Sequence, residues 1–162
     1  MLNILTMGDP LLKKTSAVVP EINGDIATLA TQMFEVMEFA RGLGLAAVQV
    51  GRLIRMFVTL APRDKPRVFI NPDILETSIE LVPYEEGCLS IPGINADVHR
   101  PASVRVQAWN EKGKAFTLNA DGLLARVIQH EYDHLNGVLF IDRLEAKKRG
   151  RLLTEYQDKL RL

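Results

Sequence analysis

An H-E-x-x-H pattern at residues 130–134 lies in a strongly apolar stretch of the chain. On an α-helix, His130 and His134 would lie one turn apart on the same face, so both imidazoles can reach one metal ion. Glu131 would project beside them, where it can take a proton from a metal-bound water. Short patterns also arise by chance, but burying two imidazoles and a carboxylate is costly unless they are coordinated or hydrogen-bonded. We therefore expect a metal site on a buried helix.

The helix that carries this pattern is predicted to begin at Asn119 or Asp121, either of which can cap its first turn. It is predicted to end near Asn136-Gly137. Its wide apolar face indicates a position at the centre of the fold. That face contains Leu123, Leu124, Val127, Ile128 and Leu135.

An earlier helix is predicted from Asn23-Gly24-Asp25 to about Arg41-Gly42, because apolar residues recur there at helical spacing. Between these helices the pattern changes to short β-rich runs at 54–58, 67–70 and 103–108, and a turn at 110–113 leads to a further run at 114–118. Pro62 and Asn71-Pro72 are expected to punctuate these strands, and Pro92 to end the segment around Cys88.

Strands grouped between helices, instead of alternating with them, predict an α+β fold. We expect mostly antiparallel strands around the central buried helix with the H-E-x-x-H motif, plus an N-terminal and a C-terminal helix. The length fits one domain, residues 1–162.

The formal net charge of zero argues against a chain built to hold DNA or RNA, which normally carries a basic excess. The N-terminal residues show neither a basic segment nor a long apolar one, and no run approaches the roughly 20 apolar residues of a membrane span. We therefore expect a cytoplasmic protein with no membrane partner.

A catalytic metal site needs a third protein ligand and an open position. Downstream of His134 there is no further histidine, and the nearest glutamate is Glu145, beyond an apolar run. Upstream, the single cysteine, Cys88, follows a glycine. A lone cysteine is usually a small buried hydrophobe, but a thiolate with two imidazoles suits Fe(II) or Zn(II). His99 has no partner at ligand spacing, and we expect it at the surface or behind the site.

Residues 42–49 read Gly-Leu-Gly-Leu-Ala-Ala-Val-Gln. A Gly-x-Gly pair can indicate nucleotide binding, but no third glycine follows in time and a helix, not a strand, precedes it. The alternative is a backbone edge that lies against an extended ligand, with Gln49 as an amide donor. A tight packing turn is a further interpretation that this segment allows.

Three segments together, residues 42–49, Glu-Gly-Cys-Leu-Ser at 86–90 and Gln-His-Glu-Tyr-Asp-His-Leu-Asn-Gly at 129–137, resemble the peptide deformylase family. The resemblance spans the chain from Gly8 to about Leu144. It implies an enzyme that uses metal-bound hydroxide to remove the formyl group from N-formylmethionine at the start of new bacterial or organellar polypeptides, releasing formate. The family typically uses Fe(II), and Zn(II), Ni(II) or Co(II) can occupy its site.

The resemblance also implies roles for single residues. It makes Cys88, His130 and His134 the metal ligands and Glu131 the general acid/base. The Gln49 side chain and the Leu89 backbone N–H become donors to the oxyanion.

The same resemblance places the substrate. Leu43 and Gly44 would pair with the peptide backbone as an added strand, beside Gly87. Helical spacing, not the resemblance, then predicts that Leu123 and Val127, next to His130, line the pocket for the methionine side chain. The contribution of Gly93-Ile94-Asn95 to substrate contacts is left open.

Two rival interpretations compete with this one. A zinc endopeptidase of the H-E-x-x-H type lacks its usual downstream ligand here. A structural metal site or binding domain without turnover would need a fourth protein ligand, which His99 would have to supply.

The tail from Arg143 to Arg161 has seven basic and three acidic residues, a net charge of +4 in a neutral chain. Its apolar residues recur at helical spacing, which predicts an amphipathic basic helix over residues 143–162. They are Leu152, Leu153, Tyr156 and Leu160. One interpretation is that this helix only packs on the body of the protein through those residues. The other is that its basic face also docks on ribosomal RNA near the exit of the nascent chain, where the substrate of the peptide deformylase family appears.

Overall fold

The computed structural model describes residues 1–161. It contains three α-helices, which are α1 (Gly24–Phe39), α2 (Gly122–Leu135) and α3 (Ala146–Leu160). Its strands are β1 (Gly44–Ala46), β2 (Met56–Thr59), β3 (Arg67–Thr77), β4 (Leu81–Cys88), β5 (Ile91–Pro101), β6 (Ser103–Trp109) and β7 (Ala115–Asp121). Short 3-10 helices occupy Pro10–Lys13, Ala47–Val50 and Phe140–Arg143.

The strands form two antiparallel sheets. One has five strands in the order β1-β2-β3-β6-β7, and the other is the β4-β5 hairpin. Side chains alternate across β2, so Met56 and Val58 pack with α1, while Phe57 packs with α2 on the opposite face. The five-stranded sheet thus lies between α1 and α2. The expected α+β architecture, with the H-E-x-x-H residues on a central buried helix, is confirmed.

The first helix begins where its capping residue predicts. The Asn23 side chain accepts hydrogen bonds from the backbone N–H groups of Asp25 (3.0 Å) and Ile26 (3.2 Å). It ends at Phe39, slightly before the expected boundary. At the second helix, Asp121 occupies the capping position without a side-chain capping bond, and Asn119 lies within β7.

Two of the strand breaks that the sequence predicts, Asn71-Pro72 and Pro92, lie within strands. β3 continues through Asn71-Pro72 with a shift of register, because Asn71 takes a φ of 50° and its side chain bonds the backbone of Val19 instead. Pro92 is the second residue of β5, not the end of a segment. The β4-β5 hairpin was not predicted from the sequence.

The C-terminal helix packs against the hairpin. Tyr156 is buried in an apolar cluster with Ile91, Val98 and Phe140, while Leu160 is 67% exposed. The apolar face therefore ends earlier than the sequence predicts, and Leu162 lies outside the described residues. No helix among residues 1–161 combines the length and apolarity that a bilayer crossing requires.

Candidate active site

Three potential metal ligands converge between the hairpin and α2. Donor atoms of Cys88, His130 and His134 all lie within 4.8 Å of one another, and Cys88 Sγ lies 3.4 Å from His134 Nε2. A tetrahedral ion with bonds of about 2.0–2.3 Å separates its ligand atoms by roughly 3.5 Å. The donor set therefore fits one divalent metal ion of the kind that accepts mixed sulfur and nitrogen ligands.

Each donor is positioned by its local backbone. His130 and His134 lie one turn apart on α2, as their spacing predicts. Cys88 ends β4, where the pairing register shifts between Gly87 and Cys88 as the chain turns into β5. Burial holds the pKa of His134 well below its usual range, which keeps the His134 imidazole neutral as a ligand must be.

Glu86 is a functional residue that sequence reasoning missed. Its carboxylate lies 2.8 Å from His130 Nδ1 and accepts hydrogen bonds from Arg100 (2.6 Å) and Arg126 (2.9 Å). Burial raises the pKa of Glu86, but the bonds from His130 and Arg100 outweigh burial and lower it to about 2. Glu86 precedes Cys88 by two residues on β4, so strand alternation could have placed both on one face.

A second carboxylate extends this ionic network behind the site. Asp133, on α2, accepts hydrogen bonds from Arg100 (2.9 Å) and from Arg143 (2.7 and 3.0 Å). Arg126 also donates hydrogen bonds to the backbone carbonyls of Val98 and Val82 on the hairpin. These bonds fasten α2 to both strands of the hairpin, so the two halves of the donor set keep a fixed separation.

Glu131 is buried beside the donors. Burial raises the pKa of its carboxyl to about 7, and its Oε1 atom has no hydrogen-bond partner among residues 1–161. Gly44 makes room for it, because a Cβ at that position would lie 2.7 Å from Glu131 Oε2 and 2.8 Å from Val127 Cγ1. A glycine at 44 is therefore needed for β1 to lie against this part of α2.

Gln49 follows β1 in a 3-10 helix and is 1% exposed. Its Oε1 accepts from the Ala46 backbone N–H at 2.9 Å, and its Nε2 donates to Ser90 Oγ at 3.0 Å and lies 3.6 Å from Cys88 Sγ. Leu89 occupies the turn between β4 and β5. Both residues that the resemblance assigns to the oxyanion therefore adjoin Cys88.

A cleft of about 500 Å³ opens over these groups. All the residues expected to contact substrate line it, namely Leu43, Gly44, Gly87, Leu123 and Val127. Gly93, Ile94 and Asn95 line its far side. His99 is exposed on β5 and is not part of the donor cluster.

A buried H-E-x-x-H helix, a sulfur-and-nitrogen donor set and an adjoining cleft are together typical of a hydrolase with a candidate metal site beside its cleft. The family model described as polypeptide deformylase matches residues 1–150, and the chain belongs to that family. The predicted resemblance is confirmed. It decides against both rivals, the endopeptidase and the structural metal domain.

Bacterial relatives share close to half of the sequence over nearly all of its length. The chain is 49% identical over 150 residues to a peptide deformylase of Treponema pallidum, covering 93% of this chain and 92% of the relative. It is also 49% identical over 158 residues to a peptide deformylase of Neisseria meningitidis, covering 96% and 93%. The chain is thus an enzyme of this family over its full fold.

Solved structures superpose closely. Peptide deformylase from Ehrlichia chaffeensis in complex with actinonin gives a TM-score of 0.95 at 38% identity, covering 100% of this chain and 99% of that one. The enzyme from Synechococcus elongatus, also in complex with actinonin, gives 0.91 at 42% identity, covering 95% and 86%. The enzyme from Thermus thermophilus gives 0.93 at 39% identity, covering 99% and 95%.

Proposed function

We propose that this chain removes the formyl group from N-formylmethionine at the start of newly synthesised polypeptides and releases formate. The observation that carries the proposal is that Glu131, Cys88 and His130 line a cleft bordered by a sheet edge, and that the buried His134 joins Cys88 and His130 in one donor cluster. That arrangement provides a metal, a proton carrier and a place for an extended peptide in one cavity.

Cys88, His130 and His134 hold one divalent metal ion in this proposal. We take Fe(II) as native, with Zn(II), Ni(II) or Co(II) able to substitute, because a thiolate with two imidazoles accepts all of them. When bound, such a metal acidifies water and polarises a carbonyl oxygen. Glu86 supports the set by accepting the Nδ1–H of His130, which leaves the other ring nitrogen free to ligate.

Glu131 carries the proton in the proposed reaction. It takes a proton from the attacking water and later returns it to the departing amine of methionine. A pKa of about 7, raised by burial, suits both steps because the group can gain and lose a proton near neutral pH. The close approach of Gly44 holds the carboxylate against the donor cluster.

Gln49 Nε2 and the Leu89 backbone N–H stabilise the oxygen of the formyl group as negative charge develops on it. Loss of one such donor typically costs about 10²–10³ in rate. Both groups lie beside Cys88, so they can reach an oxygen at the same reacting carbon.

The substrate peptide lies along β1. β1 is at the edge of the five-stranded sheet, and Leu43 and Gly44 line the cleft. The methionine side chain enters the apolar part of the cleft lined by Leu123 and Val127, beside Gly87. The following residues of the peptide pass Gly93-Ile94-Asn95.

The deciding experiment measures formate release from a formyl-Met tripeptide by protein purified without oxygen. An acetyl-Met tripeptide of the same sequence is the matched control, because it differs only by a methyl group on the acyl carbon. We expect rapid release from the formyl peptide and slow or no release from the acetyl peptide. Failure of the Fe(II), Ni(II) and Zn(II) forms alike to release formate would overturn the proposal.

We further propose that α3 brings the enzyme to ribosomal RNA in the bacterial cytoplasm, where nascent chains emerge. Lys147 and Arg151 are exposed one turn apart on α3 and form no ion pair among residues 1–161.

Tyr156 packs in the core, so a test that truncates the helix would damage the fold. The sharper test is Lys147→Glu with Arg151→Glu. It should abolish salt-sensitive ribosome binding and leave formyl-peptide turnover intact, and unchanged ribosome affinity would reject the docking role.

A further inference from the structure

The hydroxyl of Ser90 lies directly against the amide of Gln49. Gln49 Nε2 donates to Ser90 Oγ over 3.0 Å, and Ser90 is 0% exposed. At the other end of the same amide, Oε1 accepts the Ala46 backbone N–H at 2.9 Å. Because a backbone N–H can only donate, this contact fixes which end of the amide is oxygen and which is nitrogen.

The remaining N–H of Gln49 then has one direction available. A side-chain amide has two N–H groups, and Ser90 accepts one of them. Nε2 also lies 3.6 Å from Cys88 Sγ, so its second N–H points toward the donor cluster. Ser90 thereby determines where the second N–H is aimed, although Ser90 itself does not line the cleft.

The backbones of the two residues are held by one neighbouring segment. The Leu5 N–H donates to the Gln49 carbonyl and the Met7 N–H donates to the Ser90 carbonyl, each at 2.7 Å. Two residues near the N-terminus, two positions apart, thus bridge the two loops. The side-chain contact between Gln49 and Ser90 is therefore made between backbones of fixed separation.

We propose that Ser90 is a positioning residue for deformylation that acts through Gln49. By holding one N–H of the amide, it keeps the other directed at the reacting oxygen. Without it, the bond from the Ala46 N–H still restrains Oε1, but the amide loses its restraint at Nε2 and its terminal torsion, which has weak preferences of its own, gains freedom. This inference rests on the proposed function, which makes Gln49 a donor to that oxygen.

The first test is Ser90→Ala, measured as kcat, KM and metal content. We expect kcat to fall by roughly 10-fold to 10²-fold, since a displaced donor forfeits much of its stabilisation of the transition state. KM and metal content should change less than about two-fold, because neither depends on the amide in this account. Loss of metal in Ser90→Ala would overturn the proposal, since Ser90 would then act on the metal site and not on Gln49.

Ser16→Ala is the matched control. Ser16 is also buried, at 3% exposure, and within the described part of the chain its Oγ has no hydrogen-bond partner. Like Ser90→Ala, the Ser16→Ala substitution removes a buried hydroxyl oxygen, but from a position outside the cleft. Its kcat should therefore equal that of the wild type. A similar fall in kcat in both variants would show that a general loss of packing is responsible, and the proposal would fail.

Ser90→Thr and Ser90→Val provide a second pair in case alanine disturbs the fold. The two side chains have the same shape, so they impose the same packing cost, and they differ in the hydroxyl alone. We expect kcat of the threonine variant to exceed that of the valine variant by roughly 10-fold. Equal kcat values would reject the role of the hydroxyl.

A double-mutant cycle tests whether the effect passes through Gln49. In a Gln49→Ala background, Ser90→Ala should change kcat by less than about two-fold, because the residue it positions is gone. If the effects of the two substitutions on kcat are fully additive, the inference about Ser90 is overturned. The proposed function still stands in that case, provided that the wild type releases formate. Absence of formate release from the wild type would instead be a failure of the proposed function.

Discussion

Glu86 Oε1 lies 2.8 Å from His130 Nδ1, so a strand of the hairpin fixes the ring orientation of an imidazole that α2 carries. Arg100 and Arg126 hold the same carboxylate, and both arginines are buried. A buried carboxylate shared by three cationic or polar donors is strongly ordered. The geometry of the donor set therefore depends on the contact between hairpin and helix as well as on the H-E-x-x-H spacing.

Glu86 should make the metal-free protein sensitive to acid. Its pKa is about 2 in the folded protein against 4.5 for the ordinary group. A lowered pKa contributes stability that is fully present above pH 4.5 and is lost as the pH falls toward 2. The test is urea unfolding of the wild type and of Glu86→Gln from pH 3 to 6. Near the top of this range the free energy of unfolding of the wild type should be larger by roughly 3 kcal/mol. This difference should shrink below pH 4.5. A difference independent of pH would contradict the ionised state of Glu86.

Glu131→Gln should keep the metal and lose turnover. The substitution preserves size and removes the proton acceptor, while the three ligands remain. We expect kcat to fall by about 10²–10⁴-fold, the usual contribution of general acid–base catalysis, with metal content unchanged. Near wild-type kcat, measured beside bound metal, would show that another group carries the proton.

Cys88→Ala and His99→Ala should separate a three-ligand site from a four-ligand one. Cys88 belongs to the donor cluster, whereas His99 is exposed on β5. Metal analysis should find the cysteine variant depleted and the histidine variant fully loaded. A metal-free His99 variant would favour a closed structural site and weaken the catalytic interpretation.

Gly44→Ala should reduce catalysis by displacing Glu131. The added Cβ would lie 2.7 Å from Glu131 Oε2, which forces the carboxylate to move. We expect kcat/KM to fall by about 10²-fold, as is typical when a catalytic group is displaced by an ångström. The matched control is Gly150→Ala in α3, where a Cβ meets nothing within 4 Å. It should leave kcat/KM unchanged and add roughly 1 kcal/mol of stability, and equal losses in both variants would exclude the steric explanation.

Oxygen should inactivate the Fe(II) form selectively. An open iron beside a thiolate is prone to oxidation, and the Cys88 thiolate can be converted to sulfenic acid or beyond. Activity should decay in air for the Fe(II) form and persist for the Ni(II) or Zn(II) form. Parallel decay of all three forms would show that iron chemistry is not responsible.

The donor set could be predicted from sequence because its information is local. Helical periodicity and the four-residue spacing place His130 and His134 without knowledge of any other segment. Cys88 could be predicted as the third ligand only after the other candidate ligand residues were excluded. The roles of Gln49 and Leu89 could be predicted only from the resemblance to the family. The sheet edge at β1 was one of three interpretations of residues 42–49, and β1 is an edge strand of the five-stranded sheet.

The ionic network behind the site could not be predicted in the same way. The contact between Glu86 and His130 joins residues 44 positions apart, and it depends on how the hairpin docks on α2. The hairpin itself was hidden because Pro83, Pro92 and Gly93 interrupt its alternation. A partial signal existed in Arg126 and Asp133, two charged residues on a helix whose apolar character indicated burial.

The unpaired outer edge of β1 determines how general the enzyme can be. A peptide that binds there is recognised by its main-chain N–H and C=O groups, which every polypeptide presents at the same spacing. In the proposed binding mode, side-chain selection is confined to the first residue, and the remainder of each nascent chain contributes affinity regardless of its sequence. Such an edge allows a single enzyme to process the N-termini of a whole proteome. Its length of three residues also limits the danger that two copies of the protein pair with each other through it.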